Sequence, residues 1–307
     1  MRAGTSSSGM AYASLLTAAL IWGGNAIVSK ASAGVIAPAS MAFWRWVLAV
    51  LLLTPFVARG TYANWQAIRG QLGRLAVLGL LGFAAFPALM YLAARFTSAI
   101  HIGLIQAVMP LLVLGISIAL LGQRLTPGAV VGGLLSLCGV GVVVSHGQLG
   151  MLVAHGPGAG DMLMLAASVC YAVYIVLLKH WHPGIPLPQS LYVQAAAAVV
   201  FLLPLDLLGG GRGPSPASLP LIAYAAAAAS IAAPLAWMYG IGRVGPARAS
   251  LFINLVPLIT AVLAVVLLAE RLASSVLVGG AMTIGGVLVA ELWQGRAAGR
   301  EKARQAA

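Results

Sequence analysis

Long apolar stretches alternate with short polar segments along the whole chain. Ten of these stretches approach the roughly 20 residues that an α-helix needs to cross a bilayer. We number them spans 1 to 10, and they lie near 11–31, 38–58, 73–94, 97–121, 127–145, 161–179, 186–206, 217–241, 246–269 and 273–293. Lipid offers no hydrogen-bond partner to an exposed backbone, so each span is predicted to be a helix.

The residue pattern of spans 4 and 5 recurs in spans 9 and 10. Between 98–144 and 245–291, which are offset by 147 positions, 13 of 47 residues are identical. The matches include Pro110 with Pro257 and paired Arg-Leu and Gly-Gly dipeptides in the same register. Such pairs are hard to obtain by chance in apolar sequence, so the pattern indicates an internal duplication.

The duplication reaches the other spans, since Pro87 in span 3 aligns with Pro234 in span 8 at the same offset. The two halves, about 1–150 and 151–307, therefore each contain five spans. Because five is odd, the second half enters the membrane upside down relative to the first. We predict an all-α integral membrane protein with ten transmembrane helices, arranged as two inverted five-helix repeats around a central cavity.

Composition supports a membrane protein and argues against several other classes. The chain is 61% hydrophobic and 7% charged, whereas soluble domains carry about 25% charged residues. The net charge of +12 does not indicate nucleic-acid binding, because no basic face exists outside short loops. Cys138 and Cys170 lie inside apolar runs and are predicted to be buried, not joined in a disulfide or a metal site. No cofactor is expected.

The distribution of Lys and Arg predicts the orientation of the chain. With the N-terminus in the cytoplasm, 12 of these residues fall in inner segments and 4 in outer segments. This asymmetry favours cytoplasmic N- and C-termini. We therefore predict a multi-pass membrane protein with both termini in the cytoplasm.

Several motifs resemble the drug/metabolite transporter superfamily, in its ten-helix EamA-type branch. They are WGGNAIVSK at 22–30, the helices of Pro110 and Pro257, and GQRLTPGAVVGG with AERLASSVLVGG. The family usually has Glu before the Arg in both copies, whereas here Gln123 replaces the first and Glu270 keeps the second. The sequence as a whole looks closest to the YddG-type exporters of aromatic and other neutral amino acids, which implies amino-acid export.

The acidic residues bear on ion coupling. All five lie at span ends or in the C-terminal tail: Asp161, Asp206, Glu270, Glu291 and Glu301. Carriers coupled to protons or sodium usually hold a carboxylate deep in the membrane. The pattern therefore favours facilitated movement of substrate down its gradient, and it argues against the cationic-drug antiporters of the superfamily.

Polar side chains inside the spans are candidates for substrate binding. Arg45 in span 2 is predicted either to bind a substrate carboxylate or to snorkel to the interface beside two tryptophans. His101 in span 4 is either a hydrogen-bonding group of the cavity or an interfacial histidine. Asn25, Gln106 and Asn254 are amides inside apolar runs, which either join two helices or meet the substrate.

Aromatic side chains concentrate in the spans that the resemblance places around the cavity. They are Trp22, Phe86, Tyr91, Tyr171, Tyr174, Trp237 and Tyr239. Flat, rigid rings make an apolar wall that accepts a ring-bearing substrate. Ordinary packing, or a belt at the membrane interface, is the alternative.

Prolines and glycines occur in symmetry-related pairs. The prolines Pro87, Pro110, Pro234 and Pro257 each remove one backbone hydrogen bond, so they are either hinges for alternating access or fixed kinks. The glycines Gly132, Gly139, Gly279 and Gly286 give spans 5 and 10 small faces that allow close helix contact. We expect a monomer, with a homodimer through these faces as the alternative.

We predict a secondary carrier that exports amino acids, aromatic ones included, by rocking the two halves about a central site. The alternative function is export of another small metabolite or an amphipathic drug by the same fold, with proton coupling. A channel, a scaffold and a membrane enzyme are further classes. The spans show no convergent set of acid, base or metal ligands, so enzymatic activity is not predicted.

Overall fold

Helices account for every regular element in the part of the chain that the structure, a computed structural model, describes. The described residues are 5–122, 127–145, 147, 158–181, 184–211, 213–244, 252–253 and 255–305. Six spans are single helices: Thr5–Ser32 (span 1), Pro38–Ala63 (span 2), Pro127–Val144 (span 5), Ala159–Trp181 (span 6), Leu187–Leu208 (span 7) and Ser274–Gln305 (span 10). A short helix, Trp65–Arg69, connects spans 2 and 3.

The remaining spans are interrupted or short. Span 3 comprises Leu72–Leu78, the π-helix Gly79–Ala85 and Phe86–Ala93. Span 4 comprises Ala99–Gln106 and Met109–Leu121. Span 8 comprises Leu219–Ala223, the π-helix Tyr224–Ala232 and Ala233–Val244, and span 9 is the helix Val256–Leu268.

Length and composition identify these helices as membrane spans. Spans 1 to 4 and 6 to 8 each contain a helix that is long and apolar enough to cross a bilayer. Spans 5, 9 and 10 contain the shorter apolar helices Val130–Val143, Val256–Leu268 and Ser274–Val289. The predicted all-α membrane fold is therefore confirmed.

Helices of one half pack mainly against helices of the other half. Span 1 packs against spans 8 and 9, and span 6 packs against spans 3 and 4. Span 2 packs on span 7, and span 5 packs on span 10. Exchanging spans 1–5 for spans 6–10 maps these pairings onto one another, as expected of two related repeats. The core is consequently built between the halves.

Two of the four symmetric prolines follow π-helical segments. The π-helices of spans 3 and 8 lie at equivalent positions of the repeat, and Pro87 and Pro234 are each the second residue after them. A proline cannot donate the backbone hydrogen bond of an α-helix. A π-segment changes the pairing to i→i+5 and widens the turn locally, so the predicted proline bends coincide with these widened turns.

The other two prolines begin helices. Pro110 and Pro257 lie in the first turns of Met109–Leu121 and Val256–Leu268, where a missing N–H breaks no helical bond. Both helices end on a left-handed residue, Gly122 with φ +64° and Ala269 with φ +52°. These two caps are 147 positions apart, so the backbone repeats with the same offset as the sequence.

Spans 5 and 10 meet backbone to backbone within one chain. A Cβ added at Gly139 would lie 2.5 Å from the carbonyl oxygen of Gly279, and one at Gly286 would collide with that of Gly132. Small residues are what permit such close approach of two helices. The glycine faces predicted from the sequence are thus used in this intramolecular contact.

Several side chains on the other face of span 5 are exposed in the described part of the chain. Leu134 and Leu137 are exposed there, and Cys138 is exposed as well. The prediction that Cys138 is buried was therefore wrong, because an apolar run in a membrane can face lipid as readily as protein. Cys170 in span 6 is half-buried.

Candidate functional site

The guanidinium of Arg45 is turned into the helix bundle. The residue is only 7% exposed, its Nε donates to Ser230 Oγ at 2.6 Å, and its Nη1 donates to the Tyr91 hydroxyl at 3.1 Å. The guanidinium also lies 5.2 Å from the centre of the Trp46 ring. Of the two orientations that the sequence left open, the structure has the inward one.

Ser230 is a site residue that sequence reasoning missed. It lies in the π-segment of span 8, where its Oγ donates to the carbonyl of Ala225 at 2.7 Å while accepting from Arg45. A serine among alanines is unremarkable in an apolar helix, so its residue type gave no signal. The position matters because the widened turn presents it to span 2.

Five aromatic rings form a continuous wall across spans 2, 3 and 6. Trp46 stacks on Phe83 with centroids 4.4 Å apart, and Phe83 lies 5.8 Å from Tyr174. Tyr174 lies 5.2 Å from Tyr171, which in turn lies 4.7 Å from Phe86. The sequence predicted the last three of these residues and missed Trp46 and Phe83. We call this set the aromatic wall.

Part of the aromatic wall is not fully buried. Tyr171 and Phe86 are half-buried, and both pack against the buried residues of the core. Accessible aromatic surface between helices is a feature of small-molecule sites. Arg45 adjoins this wall through Trp46.

A second aromatic pair lies beside the π-helical segment of span 8. Trp22 and Trp237 have ring centroids 5.5 Å apart, and the Trp22 indole donates to the carbonyl of Ala229 at 3.4 Å. Ala229 precedes Ser230, so Trp22 of span 1 and Arg45 of span 2 bind adjacent residues. The structure thereby brings two predicted site residues to one segment.

The predicted amides differ in their surroundings. Gln106 donates from Nε2 to Met90 Sδ at 3.4 Å. Asn25 is buried, and its Oδ1 accepts no hydrogen bond from the described residues. Asn254 lies outside the described residues. Gln194, which aligns with Arg45 at an offset of 149, is a further buried amide; its Nε2 donates to Ser190 and its Oε1 is likewise without a donor in the described chain.

His101 belongs to a separate polar cluster at the end of the bundle near Lys30. Its Nδ1 lies 3.1 Å from Asp161 Oδ1, and Thr97 Oγ1 donates to the same oxygen at 2.6 Å. Both members of the pair are buried, and they join span 4 to span 6. The sequence placed Asp161 at a span end, where the structure has it, but the side chain is not open to solvent.

Glu270 completes this end of the bundle. Its two carboxylate oxygens accept from the backbone N–H groups of Ala99 at 2.8 Å and Ile100 at 3.1 Å. Ala99 begins span 4, so the carboxylate caps a helix N-terminus, where backbone donors lack internal partners and negative charge is favoured. The motif glutamate therefore has a structural role that ties the loop after span 9 to span 4.

Tyr239 lies apart from the aromatic wall. Its hydroxyl donates to Met10 Sδ at 3.0 Å, and the Arg243 guanidinium covers its ring at 3.6 Å. This arrangement is typical of an aromatic residue near a membrane interface. In the described part of the chain, no group of three or more His, Cys, Asp or Glu side chains could hold a metal ion.

Comparison with known sequences gives a family match over both halves. A sequence model of the EamA-like transporter family matches residues 9–145 and again residues 158–292. The Bacillus subtilis protein named uncharacterized transporter YyaM is 27% identical over 258 residues, covering 82% of this chain and 84% of that protein. An uncharacterized transporter of Archaeoglobus fulgidus is 29% identical over 286 residues, covering 87% and 92%.

Two further comparisons concern function and fold. A protein of Streptantibioticus cattleyicolor named probable terminal-alkyne amino-acid exporter is 27% identical over 224 residues, covering 71% of this chain and 73% of that protein. A solved crystal structure shares the fold with a TM-score of 0.61 and 21% identity, covering 94% of this chain and 96% of that chain.

Proposed function

The chain belongs to the EamA-like transporter family, and from this premise we propose that it is a secondary carrier exporting amino acids, aromatic ones included. Transport proceeds by alternating access across the bacterial inner membrane. The buried Arg45 beside the aromatic wall is the observation that carries the proposal.

Arg45 supplies an unneutralised positive charge. Its partners in the described chain are two hydroxyls, those of Ser230 and Tyr91, and a hydroxyl does not cancel the charge of a guanidinium. A buried charge within a membrane is costly unless it is paired. A substrate carboxylate supplies that pair, and the fork of a guanidinium matches its geometry.

The aromatic wall supports a ring-bearing substrate. Tyr171 and Phe86 offer accessible ring surface, which an indole or a phenyl group contacts by face or edge. The buried indole N–H of Trp46 has no acceptor among the described residues. The name of the Streptantibioticus cattleyicolor relative, an amino-acid exporter, agrees with a substrate of this chemistry.

Orientation and energetics follow the sequence pattern. The excess of Lys and Arg in one set of loops supports cytoplasmic N- and C-termini. We propose facilitated transport, because acidic residues lie toward the ends of the described spans and not at mid-depth. The carrier is proposed to act as a monomer.

Tryptophan flux in proteoliposomes tests the proposal. Purified full-length protein should give saturable efflux of tryptophan that is accelerated by tryptophan on the opposite side. A pH gradient should not drive accumulation. If no amino acid moves while a sugar phosphate or a cationic drug does, the proposed substrate class is wrong.

Proton-coupled transport by the same fold is the second candidate, and one observation favours it. His101 and Asp161 form a buried titratable pair between the two halves. Such a pair can take up or release a proton when the helices separate. Accumulation of substrate driven by a pH gradient, and its loss in Asp161→Asn, would establish this candidate over facilitated transport.

A further inference from the structure

Asn25 carries a buried hydrogen-bond acceptor without a donor. The residue lies in span 1 and is 8% exposed, and no described residue donates to its Oδ1. Buried polar atoms are almost always hydrogen-bonded, so such an exception calls for a donor from elsewhere. The donor is then either a water molecule or a ligand.

Asn25 lies at the same depth as Arg45. It precedes Ser32, the end of span 1, by seven residues, and Arg45 follows Pro38, the start of span 2, by seven. At 1.5 Å per residue, both lie about 10 Å from the same end of the bundle. The two helices are joined there by a connection of only five residues, 33–37.

Arg45 binds the π-segment of span 8 directly, and Asn25 lies on a helix that packs on the same segment. Spans 1 and 2 each pack on that segment. Trp22, one helical turn before Asn25, donates to the carbonyl of Ala229, and Arg45 donates to the hydroxyl of Ser230. Asn25 therefore lies about one helical turn from the span 1 residue that binds this stretch of the opposite half, and Arg45 binds the stretch directly.

The two side chains offer complementary unused groups. Arg45 has five N–H donors, and its bonds in the described chain use Nε and Nη1, so Nη2 remains available for an acceptor. Asn25 Oδ1 remains available for a donor. An α-amino acid presents a carboxylate acceptor and an ammonium donor on one carbon, and the ammonium has three N–H groups.

We infer that Asn25 recognises the α-ammonium group of the substrate through its Oδ1 while Arg45 binds the carboxylate. The inference rests on the proposed function and narrows it. The carried molecules must have a free α-amino group, so deaminated and N-acylated analogues are excluded. A hydrogen bond from a charged ammonium group to a buried amide oxygen is strong. Discrimination against an analogue without the ammonium group is therefore large, because that analogue leaves the amide oxygen unpaired.

Competition in proteoliposomes tests the inference without any variant. Unlabelled tryptophan and indole-3-propionate, which has the carboxylate and the indole but no amine, compete with labelled tryptophan. We expect the inhibition constant of indole-3-propionate to exceed that of tryptophan at least ten-fold. Equal inhibition by the two compounds would overturn the role of Asn25 while leaving amino-acid transport intact.

Variants assign the discrimination to Asn25. Asn25→Leu should raise the KM for tryptophan about ten-fold or more and bring the two inhibition constants close together, whereas Asn25→Asp, which keeps an acceptor, should preserve the discrimination. Gln194→Met is the matched control, since Gln194 is also a buried amide. It follows Leu187, the start of span 7, by seven residues, and that start lies at the opposite end of the bundle from the 33–37 connection. Wild-type discrimination in Asn25→Leu contradicts the inference, and absence of all amino-acid flux in the wild type contradicts the proposed function instead.

Discussion

Arg45 of span 2 donates a 2.6 Å hydrogen bond from Nε to the hydroxyl of Ser230 in span 8. The bond joins the two inverted halves of the chain inside the bundle. A charged donor is held there by a neutral acceptor, so a carboxylate that enters the bundle is a better partner for the guanidinium than the serine is.

Replacement of Arg45 should impair transport far more than replacement of Ser230. Hydrogen bonds to charged groups contribute about 1.5–3 kcal/mol, so Arg45→Gln should lower kcat/KM for tryptophan by about ten- to a hundred-fold. Arg45→Lys keeps the charge but loses the fork and should lie between Arg45→Gln and the wild type. Ser230→Ala is the control and should change kcat/KM only a few-fold. Wild-type flux in Arg45→Gln would exclude this arginine from the site.

Cysteine labelling should reveal the opposite insertion of the two halves. In a background with Cys138→Ser and Cys170→Ser, Val35→Cys and Leu208→Cys should react with a membrane-impermeant maleimide in intact cells. Gln66→Cys and Leu187→Cys should react only after the membrane is permeabilised. All four positions are exposed. Labelling of Val35→Cys and Leu208→Cys from different sides would refute the inverted arrangement.

Adjacent glycines in span 10 should respond in opposite ways to alanine. Gly286→Ala places a methyl group against the Gly132 carbonyl and should destabilise the fold by about 1–3 kcal/mol. A Cβ at Gly285 meets nothing within 4 Å, so Gly285→Ala should be neutral or stabilising by up to about 1 kcal/mol. Thermal unfolding in detergent measures both. Equal melting temperatures would show that spans 5 and 10 are not in such close contact.

The left-handed caps of spans 4 and 9 predict a reciprocal pair of effects. A non-glycine residue in this conformation costs about 1–2 kcal/mol. Ala269→Gly should therefore stabilise the protein by about 1 kcal/mol, and Gly122→Ala should destabilise it by a similar amount. The measurement is again thermal unfolding, with Gly115→Ala as a control at an open helical glycine. A lower melting temperature for Ala269→Gly would contradict the assigned conformation.

Removal of the Glu270 carboxylate should weaken the start of span 4. Loss of a side-chain cap typically costs about 1 kcal/mol. Glu270→Ala should lower the melting temperature, and Glu270→Gln, which keeps one acceptor for the N–H of Ala99 or Ile100, should lower it less. Hydrogen exchange at these two amides should increase in the same order. Unchanged exchange in Glu270→Ala would show that the cap is not formed.

The sequence predicts the depth of a residue in the membrane better than the direction in which its side chain points around the helix axis. The apolar runs predicted the helices, because lipid imposes one secondary structure on every span, and the 147-residue offset predicted which spans correspond in the two repeats. The same pattern left Arg45 facing either the cavity or the interface. Its inward direction depends on Tyr91 and Ser230, which come from two other spans.

The π-segments and the buried contact between His101 and Asp161 could not be predicted from the sequence. Pro87 and Pro234 predict a disturbance of spans 3 and 8 but not its π-helical form, and nothing in the sequence places the Tyr174 ring against Gly82 within the span 3 segment. His101 and Asp161 are 60 positions apart, and each was visible only as a polar residue near a span end. Contact between them required the packing of span 6 on span 4.

Packing between the two halves limits how the helices can move during the transport cycle. Span 1 adheres to spans 8 and 9, and span 6 adheres to spans 3 and 4. Rigid-body rotation of residues 1–150 against 151–307 would have to separate spans 1 and 6 from the helices on which they pack. The mobile bodies are thus expected to be mixed bundles, each containing the first helix of the other repeat, and not the two sequence halves.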